Sequence, residues 1–60
     1  MNMKYQVLKR LGANWNPSFE VEFNHLDDAR LYRNLMQKQE DDREKNSSTR
    51  WQYYIVEVIE

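Results

Sequence analysis

The side chains that could carry out chemistry are few in this chain, and their spacing does not bring them together. His25 is the single histidine and cysteine is absent, which excludes a thiol nucleophile and thiolate zinc ligands. Ser18, Ser47 and Ser48 lack the sequence context of a nucleophile elbow. With one glycine in the chain, a glycine-rich phosphate loop cannot form. We therefore expect a protein that is not an enzyme and uses no cofactor.

Carboxylates are more numerous, but their pattern does not favour a metal site. They occur in two groups, Asp27 with Asp28, and Glu40 with Asp41 and Asp42. Both groups lie in a segment of helical periodicity, where adjacent side chains point about 100° apart and do not converge on one ion. A weak divalent-cation patch of Glu40, Asp41 and Glu44 is the alternative to a solvated helix face. We expect the solvated face, and no metal.

Length, charge and composition narrow the class of protein. A chain of 60 residues with 40% hydrophobic content is expected to form a single domain, residues 1–60. This length is near the lower limit for folding without disulfides, metal ions or self-association. A net charge of −1 with interleaved signs argues against strong nonspecific attraction to nucleic acid or membranes. The N-terminal residues show no apolar signal region, and no run is long enough to span a bilayer. We expect a cytoplasmic protein without membrane association.

The strongest structural signal is the segment of residues 50–59, which is rich in aromatic and β-branched residues and predicts a strand. A strand that is apolar on both faces is typically central, or its second face meets a partner. The side chains of this strand that point away from the helix form one of two groups. The first is Gln52, Tyr54, Val56 and Val58; the second is Trp51, Tyr53, Ile55 and Glu57.

Two further strands and a helix precede this segment. Residues 3–11 read as a strand, residues 12–17 as a turn that contains the single glycine and the single proline, and residues 18–23 as an alternating strand. These strands predict a hairpin. In the second strand, the alternation places Phe19, Val21 and Phe23 inward and Ser18, Glu20 and Glu22 outward.

A helix is predicted from Asn24, as its N-cap, to about Glu44. The helix has an apolar stripe formed by Ala29, Tyr32, Leu35 and Met36. We assign Arg30, Arg33, Gln37 and Lys38 to its outer face, which is either solvated or paired with an acidic partner.

The order strand, strand, helix, strand predicts an α+β fold. We expect a two-layer ββαβ arrangement, in which one helix packs on one face of a three-stranded antiparallel sheet of order 2-1-3. The alternative pairs the last strand parallel to the second through a right-handed crossover. We favour the antiparallel order because it sets the doubly apolar strand beside the long first strand.

The sheet face away from the helix is the candidate binding surface. It is either an ordinary open face, a homodimer interface or a partner site. We predict partner contacts for Lys4, Leu8, Arg10, Gln52, Tyr54 and Trp15. Trp15 is included because tryptophan is enriched at interface hot spots, although it could instead cap the core against Trp51. A single-stranded nucleic acid is the less favoured ligand, because acidic Glu20 and Glu22 would share the face with the tyrosine and basic residues.

In size and layout, the chain resembles the small accessory proteins encoded by bacteriophages and prophages. The resemblance rests on a short, cysteine-free single domain with a hairpin, one helix and the aromatic closing strand of residues 50–59. It implies a protein of the host cytoplasm that binds a host bacterial protein and modulates or inhibits it.

Overall fold

A computed structural model describes residues 2–12, 16–43 and 49–59. Within these ranges the chain forms β1 (Met3–Leu11), β2 (Ser18–Phe23), α1 (Leu26–Arg43) and β3 (Trp51–Ile59). The strands make one antiparallel sheet of order β2-β1-β3, and α1 packs on one of its faces. The predicted α+β fold and its 2-1-3 order are confirmed, and the parallel alternative for the last strand is wrong.

β1 and β3 pair along their full length, from Met3 opposite Ile59 to Leu11 opposite Trp51. The pairing continues one step further, where the amide of Gly12 donates to the carbonyl of Arg50 at 3.1 Å. Gly12 has a φ of 56°, which a residue without a Cβ adopts readily, and this ends β1. Because hydrogen-bonded residues alternate along an antiparallel pair, even-numbered residues of β3 bond to β1 and odd-numbered ones direct their backbone groups to the sheet edge.

β2 pairs with β1 through a β-bulge. Val7 lies opposite Val21, but the next pair is Leu8 with Phe19, so Glu20 is an extra residue on β2. An extra residue breaks the alternation of side chains between the two faces.

The bulge corrects the prediction for β2. Phe19, which we expected to point inward, lies opposite Leu8 on the face away from α1 and is 59% exposed. Glu20, which we expected to point outward, lies on the helix side and contacts Tyr32 of α1. Val21 and Phe23 pack against the core as predicted.

The core between α1 and the sheet is small. Its buried side chains are Val7, Ala29 and Tyr53. Partly buried side chains pack around them, namely Tyr5, Val21, Phe23, Tyr32, Met36, Trp51 and Ile55. A core of this size leaves the fold dependent on polar contacts between α1 and the sheet.

α1 begins one residue later than predicted. The carbonyl of His25 accepts from the amide of Ala29 at 3.2 Å, so His25 occupies the N-cap position that we assigned to Asn24. Asp27 and Asp28 lie in the first turn, where their negative charge suits the positive end of the helix dipole.

The helix crosses the sheet obliquely. Near its start, the Tyr32 ring packs against Phe23 of β2 with a centroid separation of 5.7 Å. Near its end, Gln37 and Glu40 contact the backbone of β3. This course leaves Leu35 53% exposed, although the stripe predicted its burial.

Candidate functional site: the open face of the sheet

The surface opposite α1 carries the even-numbered residues of β1 and β3 together with two residues of β2. We call this surface the open face. It consists of Lys4, Gln6, Leu8, Arg10, Phe19, Glu22, Gln52, Tyr54, Val56 and Val58. Of the two outward sets that the sequence allowed for the last strand, the structure therefore has the first.

An apolar row crosses the open face at right angles to the strands. Leu8 of β1 lies opposite Phe19 on one side and opposite Tyr54 on the other. Since neighbouring strands lie about 4.8 Å apart, the three Cα positions span about 10 Å. Val56 and Val58 extend the apolar surface along β3. We call the set Phe19, Leu8 and Tyr54 the cross-strand row.

Polar side chains lie on both sides of the cross-strand row. Towards the start of β1, Glu22 accepts a hydrogen bond from Gln6 at 2.9 Å and pairs with Lys4 at 3.6 Å. Towards the end of β1, exposed Arg10 lies opposite Gln52. An apolar centre with a polar rim is the usual composition of a protein–protein interface.

Five of the six residues predicted for the binding site lie on the open face. The register sets Leu8 opposite Tyr54 and Arg10 opposite Gln52, while Lys4 lies nearer the other end of β1. Their role in binding stays a prediction. Trp15, the sixth, lies outside the described residues, as does its suggested contact with Trp51.

Phe19 is the member of the open face that the sequence analysis missed. Residues 18–23 alternate without interruption, and alternation of this kind predicts an unbroken strand. The alternating pattern does not reveal a β-bulge, so nothing in the sequence indicated that Phe19 and Glu20 exchange faces.

On the helix side, Glu20 is held in a polar cluster. Tyr32 donates its hydroxyl to Glu20 Oε1 at 2.9 Å, and Lys9 Nζ lies 3.1 Å from Oε2. Lys9 also lies 4.8 Å from the ring centroid of Trp51, a cation–π contact. Both oxygens of Glu20 therefore have partners, and the carboxylate serves to attach β2 to β1 and α1.

The cluster shifts two pKa values in opposite directions. The hydrogen bond from Tyr32, followed by that from Lys9, lowers the pKa of the Glu20 carboxyl. Partial burial, followed by the hydrogen bond to Glu20, raises the pKa of the Tyr32 hydroxyl. These shifts come from contacts that hold the fold together, and no pocket for a substrate is needed to explain them.

α1 contacts β3 through the strand's backbone, which corrects two assignments. Arg33 and Gln37, which we assigned to the outer helix face, lie against the edge of β3. Arg33 Nε donates to the carbonyl of Tyr53 at 3.1 Å. The Gln37 side-chain amide donates to the carbonyl of Trp51 at 3.1 Å and accepts from the amide of Tyr53 at 2.8 Å.

Glu40 completes this edge contact. It is 4% exposed, and its Oε1 accepts from the amide of Trp51 at 3.1 Å. Its other oxygen accepts from Arg43 at 2.7 Å. A buried carboxylate is costly unless it is paired, and here both oxygens are. Arg30 and Lys38 are exposed, as the predicted outer face requires.

The described part of the chain shows neither a metal site nor a membrane-spanning helix. Among residues 2–12, 16–43 and 49–59, no group of three or more His, Asp or Glu side chains is placed to hold a metal ion. The weak patch considered from the sequence included Glu44, which lies outside these ranges. None of the helical residues described forms a helix long and apolar enough to cross a bilayer.

Comparison with known proteins adds no functional assignment. The chain matches no protein-family model, and neither a curated protein nor a solved structure is similar to it. The function is therefore argued from the geometry of the open face.

Proposed function

We propose that this protein is a non-enzymatic interaction module that binds a partner protein through its open face. The cross-strand row carries the proposal: Phe19, Leu8 and Tyr54 align across all three strands on a face that no described element covers. Aromatic side chains are enriched in the buried centres of protein interfaces. Phe19 is 59% exposed, so the row presents a large apolar side chain to solvent.

The size of the open face sets the size of the interface that it can form. From the strand spacing and rise, its area is about 15 by 30 Å, or roughly 450 Å². A standard interface buries about 800 Å² on each partner. A complex made through the open face alone therefore buries about half of the standard area on this chain.

The resemblance to small phage-encoded accessory proteins supports a narrower form of the proposal. In this form the partner is a host bacterial protein, and binding modulates or inhibits it in the host cytoplasm. Such a protein acts by binding its target in a fixed ratio, without turnover. This mode fits a chain in which the carboxylates of Glu20 and Glu40 are engaged in structural contacts.

A pull-down from bacterial lysate with matched variants tests the proposal. The test variant is Phe19→Ala with Tyr54→Ala, which truncates both ends of the cross-strand row. The control is Leu31→Ala with Leu35→Ala, since these leucines are 71% and 53% exposed on α1 and lie off the open face. We expect one host protein to be retained by the wild type and the control and lost from the test variant.

Other results would overturn the proposal. Retention by the test variant would remove the cross-strand row from the interface, and loss from both variants would show that the open face does not carry the binding alone. If no protein is retained, that lysate contains no partner of the open face, and the proposal fails for this host. Both variants must first show the wild-type circular dichroism spectrum, so that loss of binding is not loss of folding.

Single-stranded nucleic acid is the second candidate, favoured by one observation. Tyr54 and Phe19 are rings on which bases could stack, and Arg10 and Lys4 flank them. The bulge moves Glu20 off this face, so Glu22 alone opposes a phosphate there. Salt-sensitive gel shifts that vanish in the Phe19→Ala/Tyr54→Ala variant would favour this ligand. A homodimer would instead show a melting temperature that rises with protein concentration.

A further inference from the structure

The free edge of β3 consists of two halves that differ in how their backbone groups are satisfied. At Trp51 and Tyr53, both outward N–H groups and both outward carbonyls bond to side chains of α1. Beyond Tyr53, none of the described α1 side chains makes such a bond. The outward groups of the following odd-numbered residues lie at the edge of the sheet. We call residues 55–59 the open edge.

The open edge has the geometry that an added strand requires. Outward backbone groups recur at every second residue, about 6.8 Å apart, and five residues extend about 17 Å. This is close to the length of an average strand. A peptide laid along it would exchange hydrogen bonds with Ile55, Glu57 and Ile59, continuing the ladder that β3 forms with β1.

The other edge of the sheet is protected against such pairing. β2 carries the bulge at Glu20 and a charged side chain at Glu22, which are two of the features that discourage edge-to-edge association. The first half of the β3 edge is covered by Arg33, Gln37 and Glu40. Within the described ranges, the open edge has no bulge, proline or lysine, and Glu57 is its one charged residue.

The side chains along the open edge indicate the sequence that would bind. Glu57 is exposed and takes part in no ion pair within the described residues. On the opposite side of the strand, Val56 and Val58 offer apolar β-branched neighbours. A complementary strand therefore has a basic residue beside Glu57 and β-branched residues beside the valines, because such cross-strand pairs stabilise a sheet.

A second copy of β3 fits the open edge less well. Antiparallel pairing of two copies over the whole of residues 55–59 is centred on Glu57. That register places the two Glu57 carboxylates directly opposite each other, which is destabilising. A register shifted towards the start of the strand would run into residues 51–53, whose outward groups are already bonded to α1, and a shift the other way would pair residues 57–59 alone.

We propose that residues 55–59 form a β-augmentation site for an extended segment of a partner polypeptide. The segment alternates β-branched residues, which lie beside Val56 and Val58, with a Lys or Arg opposite Glu57. This site goes beyond the proposed function, because it binds through backbone hydrogen bonds and requires neither Phe19 nor Tyr54. A partner that used it together with the open face would bury more area than the open face offers alone.

The test is an NMR titration of the whole protein with a capped seven-residue peptide of alternating valine and lysine. We expect shift changes and slowed amide exchange at Ile55 and Glu57. In antiparallel pairing, which is the more stable arrangement, the lysine N–H groups point to β3. A peptide N-methylated at its lysines should therefore lose binding by more than tenfold, whereas the peptide N-methylated at its valines should retain it.

Two protein variants complete the test. Glu57→Lys should weaken binding of the lysine peptide by about two- to five-fold. The same variant should favour a peptide with glutamate in place of lysine. The Phe19→Ala/Tyr54→Ala variant should bind the peptide like the wild type, which separates this site from the open face. The proposal is overturned if residues 55–59 show no response at millimolar peptide, if both methylated peptides bind alike, or if the shifts centre on the cross-strand row.

Discussion

Gln37 replaces a neighbouring strand at the first half of the β3 edge. Its side-chain amide donates to the carbonyl of Trp51 at 3.1 Å and accepts from the amide of Tyr53 at 2.8 Å, as the backbone of a fourth strand would. Gln37→Ala removes both bonds, together with an exposed bond from the same amide to Asp41 at 3.1 Å. Because a hydrogen bond contributes about 0.5–1.5 kcal/mol net, the loss of two is worth about 1–3 kcal/mol. The higher helix propensity of alanine offsets a few tenths of a kcal/mol.

This loss is large for so small a domain. A stability of about 0.05–0.15 kcal/mol per residue amounts to about 3–9 kcal/mol for the whole chain. A destabilisation of about 2 kcal/mol corresponds to a fall in melting temperature of about 8–16 °C for a domain of this size. We expect this fall in a thermal melt followed by circular dichroism, with faster hydrogen exchange at the amide of Tyr53.

Gln39→Ala is the matched control, because Gln39 is the same residue type on the same helix and is exposed. The two variants share the change in helix propensity and differ in the contacts of Gln37, which are the two bonds to β3 and the exposed bond to Asp41. If they melt within about 2 °C of each other, and if the Tyr53 amide exchanges at the wild-type rate in both, the side chain of Gln37 does not hold the edge and the reasoning is refuted.

Two further outcomes follow from the core and the polar cluster. Tyr32 and Lys9 lower the pKa of Glu20 from its usual 4.5, so the unfolded chain takes up this proton first as the pH falls. The stabilisation is therefore complete above about pH 4.5 and is lost as the pH drops through the folded-state pKa. Glu20→Gln should flatten the dependence of melting temperature on pH below about pH 4.5; an unchanged slope would contradict the assignment. Val7 is 0% exposed, and Val7→Ala should cost about 2 kcal/mol in urea unfolding, from two lost methyl groups and the cavity they leave. Val58→Ala, on the partly exposed open face, should cost less than half as much, and equal losses would show that the core is not centred on Val7.

The strands, the helix and their order could be predicted because each depends on local composition. The turn formers of residues 12–17 separate two strands, and the apolar stripe marks the helix. The aromatic and β-branched residues of the last strand indicate that it pairs with β1 along its whole length. The positions of Leu8, Arg10, Gln52 and Tyr54 on the open face follow from alternation once this order is known.

The bulge and the edge contacts could not be predicted, because they depend on tertiary structure. Glu20 gains Tyr32 as a partner only when α1 lies over the sheet. The bulge that turns Glu20 to the helix side also places Phe19 on the other face. Arg33 and Gln37 are polar residues on a helix, which the sequence assigns to solvent. They face β3 because the unpaired backbone of an edge strand needs donors and acceptors, and an oblique helix brings these two within reach.

The attachment of β3 to α1 through main-chain groups has a consequence for how this protein can evolve. The carbonyls and amides of residues 51 and 53 are the same whatever side chains the strand carries. Gln52 and Tyr54 project from the opposite side of the strand, so substitutions there leave these four bonds in place. The side chains of the open face on β3 can therefore change in sequence while the attachment of the strand to α1 stays the same.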